Sequence, residues 1–289
     1  MTLIEPIIRP PSESDSFLLQ VTTGCSANHC TFCGAYTDKP FAVKDSEEIV
    51  SDINKAAALY PDTRRVFLLD GDALAVSNVK LLPILKKLDE VFPKLSRISS
   101  YSNGYNITQR SNAELVELNE NKMRLIYIGL ESGSQDVLDR CRKRSTADEM
   151  IEAVKKAGRA GIKSSVMVLL GLGGKKHSEK HVRDTIKALN KMQPRYLSFL
   201  SVMLIPGTQL HKECKEKRFK ELNSHELLDE AHSIIKGLEL EKTIFRSNHA
   251  SNYLSLEGRF PQDKNKLLNS LELAIGGKIN LRPEFSRGL

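Results

Sequence analysis

Six short apolar segments alternate with amphipathic segments along the chain, and this alternation most constrains the fold. The apolar segments are rich in Val, Ile, Leu, Phe and Tyr with little polar interruption, which is typical of strands buried on both faces. They cover residues 17–21, 65–70, 97–102, 125–129, 163–170 and 196–204. Repeated strand–helix units predict right-handed crossovers and a parallel sheet. Periodicity alone leaves open a doubly wound open sheet and a curved barrel.

The segments between these strands have helical patterns with recognisable ends. They cover residues 46–60, 78–92, 113–121, 134–140 with 147–160, and 179–192. Ser111 and Glu114 have the spacing of a capping box, and Gly161 stands where a helix should stop. After residue 204 the pattern changes, with helices expected near 226–237 and 262–275 and a β-like segment at 242–246.

Composition places the chain among ordinary soluble globular proteins. It has 289 residues, of which 40% are hydrophobic and 27% charged. The net charge of +7 allows an anionic partner, but basic and acidic residues are mixed along the helices, as on a solvated surface. No apolar run approaches the roughly 18–20 residues that a membrane span needs. The N-terminus lacks a signal-peptide pattern, so we expect a cytoplasmic protein.

Three of the five cysteines, Cys25, Cys30 and Cys33, follow the first predicted strand with C-x4-C-x2-C spacing. In a reducing compartment, clustered cysteines usually bind metal. Three thiolates without a fourth nearby suit a [4Fe–4S] cluster that leaves one iron open to a ligand. Structural zinc normally needs four ligands, and a redox pair of Cys30 and Cys33 leaves Cys25 unexplained.

With strand–helix repeats and three clustered cysteines after the first strand, the sequence resembles the radical S-adenosylmethionine (SAM) enzymes over residues 17–210. The motif style is similar to that of oxygen-independent coproporphyrinogen oxidase-like and tRNA-modifying members, although their usual cysteine spacing is C-x3-C-x2-C. The resemblance implies an α/β fold, a partial (β/α)6 TIM-like barrel. We expect residues 1–16 to form an N-terminal arm, 17–210 the core, and 211–289 a C-terminal extension that packs on or caps the barrel.

The resemblance also implies which residues bind SAM. Asp70, Gly71 and Asp72 occupy the place of the family's Gly-Gly-Glu motif, which receives the amino group of SAM, whereas an Asp helix cap is the structural alternative. Glu131 matches an acid that binds the ribose hydroxyls. Lys143 stands where an Arg holds the SAM carboxylate, although a basic helix end would look the same. The remaining expected cofactor contacts are Phe32, Ser102, Asn103, Leu204 and Ile205.

The activity implied is reductive cleavage of SAM at the cluster to a 5′-deoxyadenosyl radical, which abstracts hydrogen from a small-molecule substrate. A flavodoxin- or ferredoxin-like protein would supply the electron. The polar segment 247–253 is a candidate for substrate contact through His249, Asn252 and Tyr253. Two other classes stay open. One is an RNA-modifying enzyme, which the charge allows but the few aromatics do not favour, and the other is a non-catalytic Fe–S or zinc protein.

Overall fold

A computed structural model describes residues 3–288 and contains ten strands and ten α-helices within them. The strands are β1 (Phe17–Gln20), β2 (Thr22–Thr23), β3 (Ala42–Val43), β4 (Arg65–Leu69), β5 (Arg97–Tyr101), β6 (Met123–Glu131), β7 (Lys163–Leu170), β8 (Tyr196–Ser201), β9 (Ile244–Arg246) and β10 (Glu257–Arg259). The helices are α1 (Ser46–Leu59), α2 (Asn78–Val91), α3 (Gly104–Thr108), α4 (Asn112–Glu120), α5 (Gln135–Arg140), α6 (Ala147–Arg159), α7 (Gly174–Met192), α8 (Gln209–Lys215), α9 (Ser224–Gly237) and α10 (Lys264–Ile275).

The described chain forms two compact units. The first contains residues 3–28, 35–128 and 156–164, and the second contains 29–34, 129–155 and 165–288. Among these residues no helix is both long and apolar enough to cross a bilayer. The expected division at residues 16 and 210 stays a prediction.

The first unit is built on parallel strands. β4 pairs with β1 on one side and with β5 on the other, and β5 pairs with β6. The rings of Phe67, Tyr101 and Tyr127 contact one another edge to face, which is a favourable aromatic geometry. Because these strands are parallel, their carboxyl ends meet at one edge, and the polar residues that follow β4 and β5 lie close together.

The second unit contains three parallel strands, β7, β8 and β9, with β10 antiparallel to β9. The fully buried rings of Phe199, Phe245 and Phe260 pack edge to face along this set. α9 packs against α7 and α10. The buried hydrophobic residues of α9 therefore pack between α7 and α10 in this part of the core.

Several local predictions are confirmed. The Ser111 hydroxyl accepts from the Glu114 N–H and the Glu114 carboxylate accepts from the Ser111 N–H, so the predicted capping box forms. Gly161 has a φ of 82°, the left-handed conformation that ends α6 before β7. All six predicted core strands form, with β8 ending at Ser201 rather than at residue 204. Beyond Ser201, the Val202 N–H still donates to the Leu170 carbonyl oxygen at 2.8 Å, and the side chains of Val202 and Leu204 belong to or pack on a hydrophobic cluster.

Other elements were missed or misplaced by sequence reasoning. α7 begins at Gly174, five residues before the predicted start, because its N-cap Gly173 offers no side chain as a start signal. α3 and α8 are short helices, capped by Asn103 and Thr208 respectively. The antiparallel ribbon of β2 and β3 joins the two ends of the segment that carries the cysteines. Strands of two residues have too little periodicity to be predicted.

Candidate active site

Asp70 follows β4 in the first unit, and its carboxylate is fully buried. Its Oδ2 atom accepts from the Gly24 N–H at 3.0 Å and forms an ion pair with Lys39 Nζ at 2.5 Å. Gln20 Nε2 donates to Oδ1 and Oδ2 at 3.3 and 3.2 Å. Since Gly24 immediately precedes Cys25, Asp70 fixes the backbone at the start of the cysteine segment.

Gly71 lies directly against Cys25. Its N–H donates to the Gly24 carbonyl oxygen at 3.0 Å. A Cβ added at Gly71 would stand 2.8 Å from the Cys25 Cβ, 3.2 Å from the Cys25 Sγ and 2.9 Å from the ring of Tyr36. Any residue larger than glycine would therefore displace the cysteine side chain.

Asp72 is also fully buried and is surrounded by donors of its own unit. Its Oδ2 accepts from Ser26 Oγ, Asn103 Nδ2 and Asn106 Nδ2, each at 2.5 Å, and its Oδ1 accepts from the Asn103 N–H at 3.4 Å. Burial raises the pKa of this carboxyl, and the donors, Ser102 among them, act in the opposite direction. Three donors therefore converge on Oδ2 and one longer contact reaches Oδ1, so the chain itself supplies donors to both oxygens of the carboxylate.

The second unit contains the segment 29–34 with the other two predicted ligands. The Cys33 N–H donates to the Cys30 carbonyl oxygen at 3.2 Å, which closes a turn. Between them, the Thr31 N–H donates to the Cys141 carbonyl oxygen at 2.9 Å, and the Leu210 N–H donates to the Thr31 carbonyl oxygen at 2.9 Å. The two cysteines are thus held on a turn that the backbone fixes at both sides.

Glu131 and Lys143 form an ion pair beside Cys30. Lys143 Nζ lies 3.0 Å from Glu131 Oε1, and the side chains are only 12% and 15% exposed. Burial raises the pKa of the Cys30 thiol; the Lys143 ammonium lowers it, whereas the Glu131 carboxylate and the Cys33 thiol raise it. A Cβ at Gly129 would stand 2.0 Å from Glu131 Oε1, so the pair uses space that only glycine leaves.

The backbone at Glu131 is strained, with a φ of 60°. Such a left-handed conformation costs a non-glycine residue about 1–3 kcal/mol and is frequent at functional sites. The next residue, Ser132, bonds through its hydroxyl to His181 Nδ1 at 2.8 Å. His181 is fully buried, with Nε2 3.5 Å from Glu230 Oε1. Burial lowers the pKa of His181, and the Glu230 carboxylate acts in the opposite direction.

The apolar residues expected to contact SAM lie in the second unit. Phe32 and Leu204 pack against a buried hydrophobic cluster that includes Leu172 and Val202. Ile205 lies against the backbone of Gly34, where an added Cβ would stand 2.8 Å from its Cγ2 atom. Phe32, Leu204 and Ile205 therefore share one apolar region with the segment that carries Cys30 and Cys33.

Several polar side chains of the 247–253 segment form hydrogen bonds with other residues of the chain. Asn252 is 4% exposed. Its Oδ1 accepts from Ser201 Oγ at 2.9 Å, and its Nδ2 donates to the Phe199 and Ser247 carbonyl oxygens at 2.7 and 3.1 Å. The amide thus joins the segment to the end of β8, and substrate contact by Asn252 stays a prediction.

His249 and Tyr253 lie nearer the surface of the same segment. His249 Nδ1 is 2.9 Å from Ser251 Oγ. The Tyr253 hydroxyl is bonded to Glu284, and the Arg287 guanidinium lies 4.3 Å from its ring centroid. Contact of these two residues with substrate also stays a prediction.

Solved structures with this fold include radical SAM enzymes. Coproporphyrinogen III oxidase from Escherichia coli superposes with a TM-score of 0.55 at 14% identity, covering 76% of this chain and 51% of the oxidase. Methylornithine synthase gives a TM-score of 0.53 at 14% identity, covering 92% of this chain and 83% of the synthase. The chain therefore spans about half the length of the oxidase, and the predicted α/β fold of partial-barrel type is confirmed.

The chain belongs to the Radical SAM superfamily, whose family model matches residues 19–189, more than half of the sequence. Among curated proteins, the GTP 3',8-cyclase of Clostridium perfringens (strain SM101 / Type A) is 22% identical over 250 residues, which covers 85% of this chain and 70% of the cyclase. The prediction of a radical SAM enzyme, with a [4Fe–4S] cluster and SAM as cofactors, is confirmed.

The donors in each unit fit these cofactors chemically. Cys30 and Cys33 are thiol donors on one turn, and the charge of Lys143 favours the thiolate of Cys30. Glu131 and Lys143 offer the carboxylate and the cation that ribose hydroxyls and a carboxylate would need. Among residues 3–288, no three His, Cys, Asp or Glu side chains are placed to hold one metal ion. In an iron–sulfur cluster each thiolate binds its own iron, and ligation by Cys25, Cys30 and Cys33 stays a prediction.

Sequence reasoning missed several residues of these networks. In the first unit they are Ser26, Lys39 and Asn106, and in the second unit His181 and Glu230. Only Asn106 had a signal, because it follows the N-cap of α3 at the spacing of a capping contact. A buried lysine in a polar loop and a histidine on the inner face of α7 have no pattern that separates them from ordinary residues.

Proposed function

We propose that this enzyme cleaves SAM reductively and uses the resulting 5′-deoxyadenosyl radical to abstract hydrogen from a small-molecule substrate. The observation that best supports this proposal is the buried Glu131–Lys143 pair beside Cys30. When bound and reduced, the cluster supplies the electron that breaks the sulfonium bond. The protein's part is to bind, orient and exclude water.

The proposed roles follow from the chemistry of each side chain. Cys25, Cys30 and Cys33 are the cluster ligands. Glu131 accepts hydrogen bonds from the ribose hydroxyls, and Lys143 holds the SAM carboxylate as a point charge, without the bidentate contact of an arginine. Because donors of the chain surround the Asp72 carboxylate, we assign the SAM ammonium to carbonyl oxygens of the turn 70–72.

The apolar residues Phe32, Leu204 and Ile205 are proposed to cover the adenine side of SAM, where they would keep water from the reacting bond. A flavodoxin- or ferredoxin-like protein is the proposed electron donor, and the cytoplasm the proposed compartment, because the thiolates must stay reduced. In the C-terminal region, His249 and Tyr253 are the proposed substrate contacts, and Asn252 supports them through its bonds to β8.

Anaerobic reconstitution with iron and sulfide, followed by reduction in the presence of SAM, tests this function. We expect 5′-deoxyadenosine and methionine to form in equal amounts, as measured by mass spectrometry. Substitutions Cys25→Ala, Cys30→Ala and Cys33→Ala should each remove the visible absorbance of the cluster and all 5′-deoxyadenosine formation.

Cys214→Ala is the matched control, because Cys214 is half-buried on α8 and lies outside the proposed ligand set. This variant should keep the cluster and the cleavage activity. A wild-type protein that holds its cluster, binds SAM and yields no 5′-deoxyadenosine would contradict the proposed activity. A cluster of normal spectrum in Cys30→Ala would contradict the ligand assignment alone.

A further inference from the structure

We infer that Asp70, Gly71 and Asp72 act as a clamp that positions Cys25 for cluster binding. The inference rests on the proposed function, since it takes Cys25 as a ligand. It assigns the two carboxylates to the protein's own loop, whereas the resemblance to the family assigned this triplet to SAM. All residues of the clamp and of its partners belong to the first unit.

The Asp70–Lys39 ion pair joins the two ends of the cysteine loop. Asp70 Oδ2 accepts from the Gly24 N–H at 3.0 Å and lies 2.5 Å from Lys39 Nζ. The backbones of Gly24 and Lys39 are themselves in contact, because a Cβ at Gly24 would stand 2.3 Å from the Lys39 carbonyl oxygen. One buried carboxylate therefore holds the residue before Cys25 and the residue where the loop returns.

The pair is deeply buried, which makes it sensitive to the loss of either partner. The side chains of Lys39 and Asp70 are 5% and 0% exposed. Lys39 Nζ also donates to the carbonyl oxygens of Ile4 and Pro6 at 2.5 and 3.0 Å. Removing one charge of a buried pair leaves the other uncompensated, whereas removing both is often neutral.

A hydrogen bond to Asp72 fixes the chain on the other side of Cys25. Ser26, which follows Cys25, donates to Asp72 Oδ2 at 2.5 Å. Asn103 and Asn106, at the start of α3, donate to the same oxygen and fix the carboxylate. Cys25 is thus flanked by one residue bonded to Asp70 and one bonded to Asp72.

Gly71 lies between the two aspartates in the sequence and leaves space for the Cys25 side chain. The Gly71 N–H donates to the Gly24 carbonyl oxygen, and its missing side chain makes room for the Cys25 Cβ and Sγ. A ligand already held in place loses less conformational entropy when it binds. The clamp therefore lowers the conformational entropy that the Cys25 end of the C-x4-C loop loses when the cluster binds.

The experiment compares Asp70→Asn, Lys39→Met and the double variant in the full chain. In the cluster-free protein, the rate of Cys25 alkylation by iodoacetamide is measured by peptide mass spectrometry, with Cys214 as the internal reference. We expect each single variant to raise the Cys25 rate at least about tenfold relative to Cys214, and the double variant to return towards wild type. Iron per chain after reconstitution should fall in the single variants and recover in the double variant.

Two further variants keep the test independent of folding. Ser26→Ala removes one donor from Asp72 and should raise the Cys25 rate by a smaller factor, about threefold to tenfold. Gly71→Ala should shift the reduction potential of the reconstituted cluster, which a purely structural role would not require. Asp15→Asn is the matched control, because the Asp15–Arg65 pair lies in the same unit with Asp15 79% exposed, and it should change none of these readouts.

The inference is overturned if the single variants leave Cys25 alkylation unchanged, or if Cys25 and Cys214 rates rise together, which would mean general unfolding. Should Asp70→Asn fail to fold, the double variant and Ser26→Ala decide: wild-type rates in Ser26→Ala would count against the clamp. The alkylation assay needs no cluster and no SAM cleavage. Failure of the proposed function would therefore leave this result standing on its own.

Discussion

Asp72 and Glu131 are both largely buried acids at the carboxyl ends of parallel strands, yet their surroundings differ sharply. Asp72, in the first unit, accepts hydrogen bonds from Ser26, Asn103 and Asn106. Among the described residues the one donor to the Glu131 carboxylate is Lys143, and the Glu131 backbone is left-handed. Donors of the chain occupy the acceptor positions of Asp72, whereas Glu131 has one charged partner and further acceptor positions, where we propose that SAM binds.

The largest expected effect is on stability, at Asp72. Asp72→Ala removes the acceptor that Ser26, Asn103 and Asn106 share, and a hydrogen bond to a charged group contributes about 1.5–3 kcal/mol. With three such bonds lost, we expect the free energy of unfolding of the cluster-free protein to fall by at least about 3 kcal/mol, measured by urea denaturation. Asp62→Ala is the control, because Asp62 is 78% exposed beside Lys94; a loss in the control as large as that in Asp72→Ala would remove the contrast.

The next effect is on SAM binding, at Glu131. Glu131→Gln should weaken SAM binding to the reconstituted enzyme by about 10- to 100-fold, because hydrogen bonds to charged groups contribute roughly 1.5–3 kcal/mol. The unfolding free energy of the cluster-free protein should fall by less than in Asp72→Ala, since glutamine keeps the shape and an acceptor for Lys143 and removes only one charge of a partly exposed pair. Isothermal titration with SAM and urea denaturation separate the two quantities. Unchanged SAM affinity would show that Glu131 belongs, like Asp72, to the architecture.

A smaller effect is expected on the pH dependence of stability, through His181, which bonds to Ser132 next to Glu131. Burial lowers the pKa of His181, so between that pKa and about 6.5, the ordinary value, the unfolded chain binds more protons than the folded one. The free energy of unfolding should therefore fall as pH drops below about 6.5, by at most about 1.4 kcal/mol per pH unit for this group. His181→Asn should reduce this slope, while His225→Asn, at an exposed position, should leave it unchanged. An equal slope in His181→Asn would show that other groups cause it.

The smallest effect is expected at Lys143. Lys143→Arg keeps the charge beside Glu131 and restores the fork that suits a carboxylate, so SAM affinity should change by less than about 1 kcal/mol. Lys143→Met removes the charge and should weaken SAM binding clearly more. Equal affinities of the Arg and Met variants would show that Lys143 does not hold the SAM carboxylate.

Much of the fold was readable in the sequence because its signals are local. The strand segments were recognised from apolar runs, and the ends of α4 and α6 from a capping box and a glycine. Predictions failed where tertiary contacts replaced local signals. Residues 202–204 look like strand, but β8 ends at Ser201 and the side chains of Val202 and Leu204 pack in a hydrophobic cluster. α7 begins at Gly174 without a capping side chain.

The candidate site likewise contains residues that the sequence predicted and contacts that it did not. The positions of Cys25, Cys30, Cys33, Glu131 and Lys143 were chosen from spacing and resemblance, and the pairing of Glu131 with Lys143 across twelve residues agrees with that choice. The partners of Asp70 and Asp72 could not be predicted. They come from residues 31 to 50 positions away in the sequence, and a pattern of apolar and polar residues carries no information about such contacts.

The sequence by itself therefore determined the class of fold and the superfamily, and it predicted the donors that we propose for the cofactors, because these depend on periodicity and on short-range spacing. The tertiary structure decided what each acid does. Most buried polar groups take their partners from the chain, and the chain supplies several donors to Asp70 and Asp72 and one ammonium to Glu131. That difference in supplied donors separates the groups that hold the cysteine loop from those we propose to hold SAM.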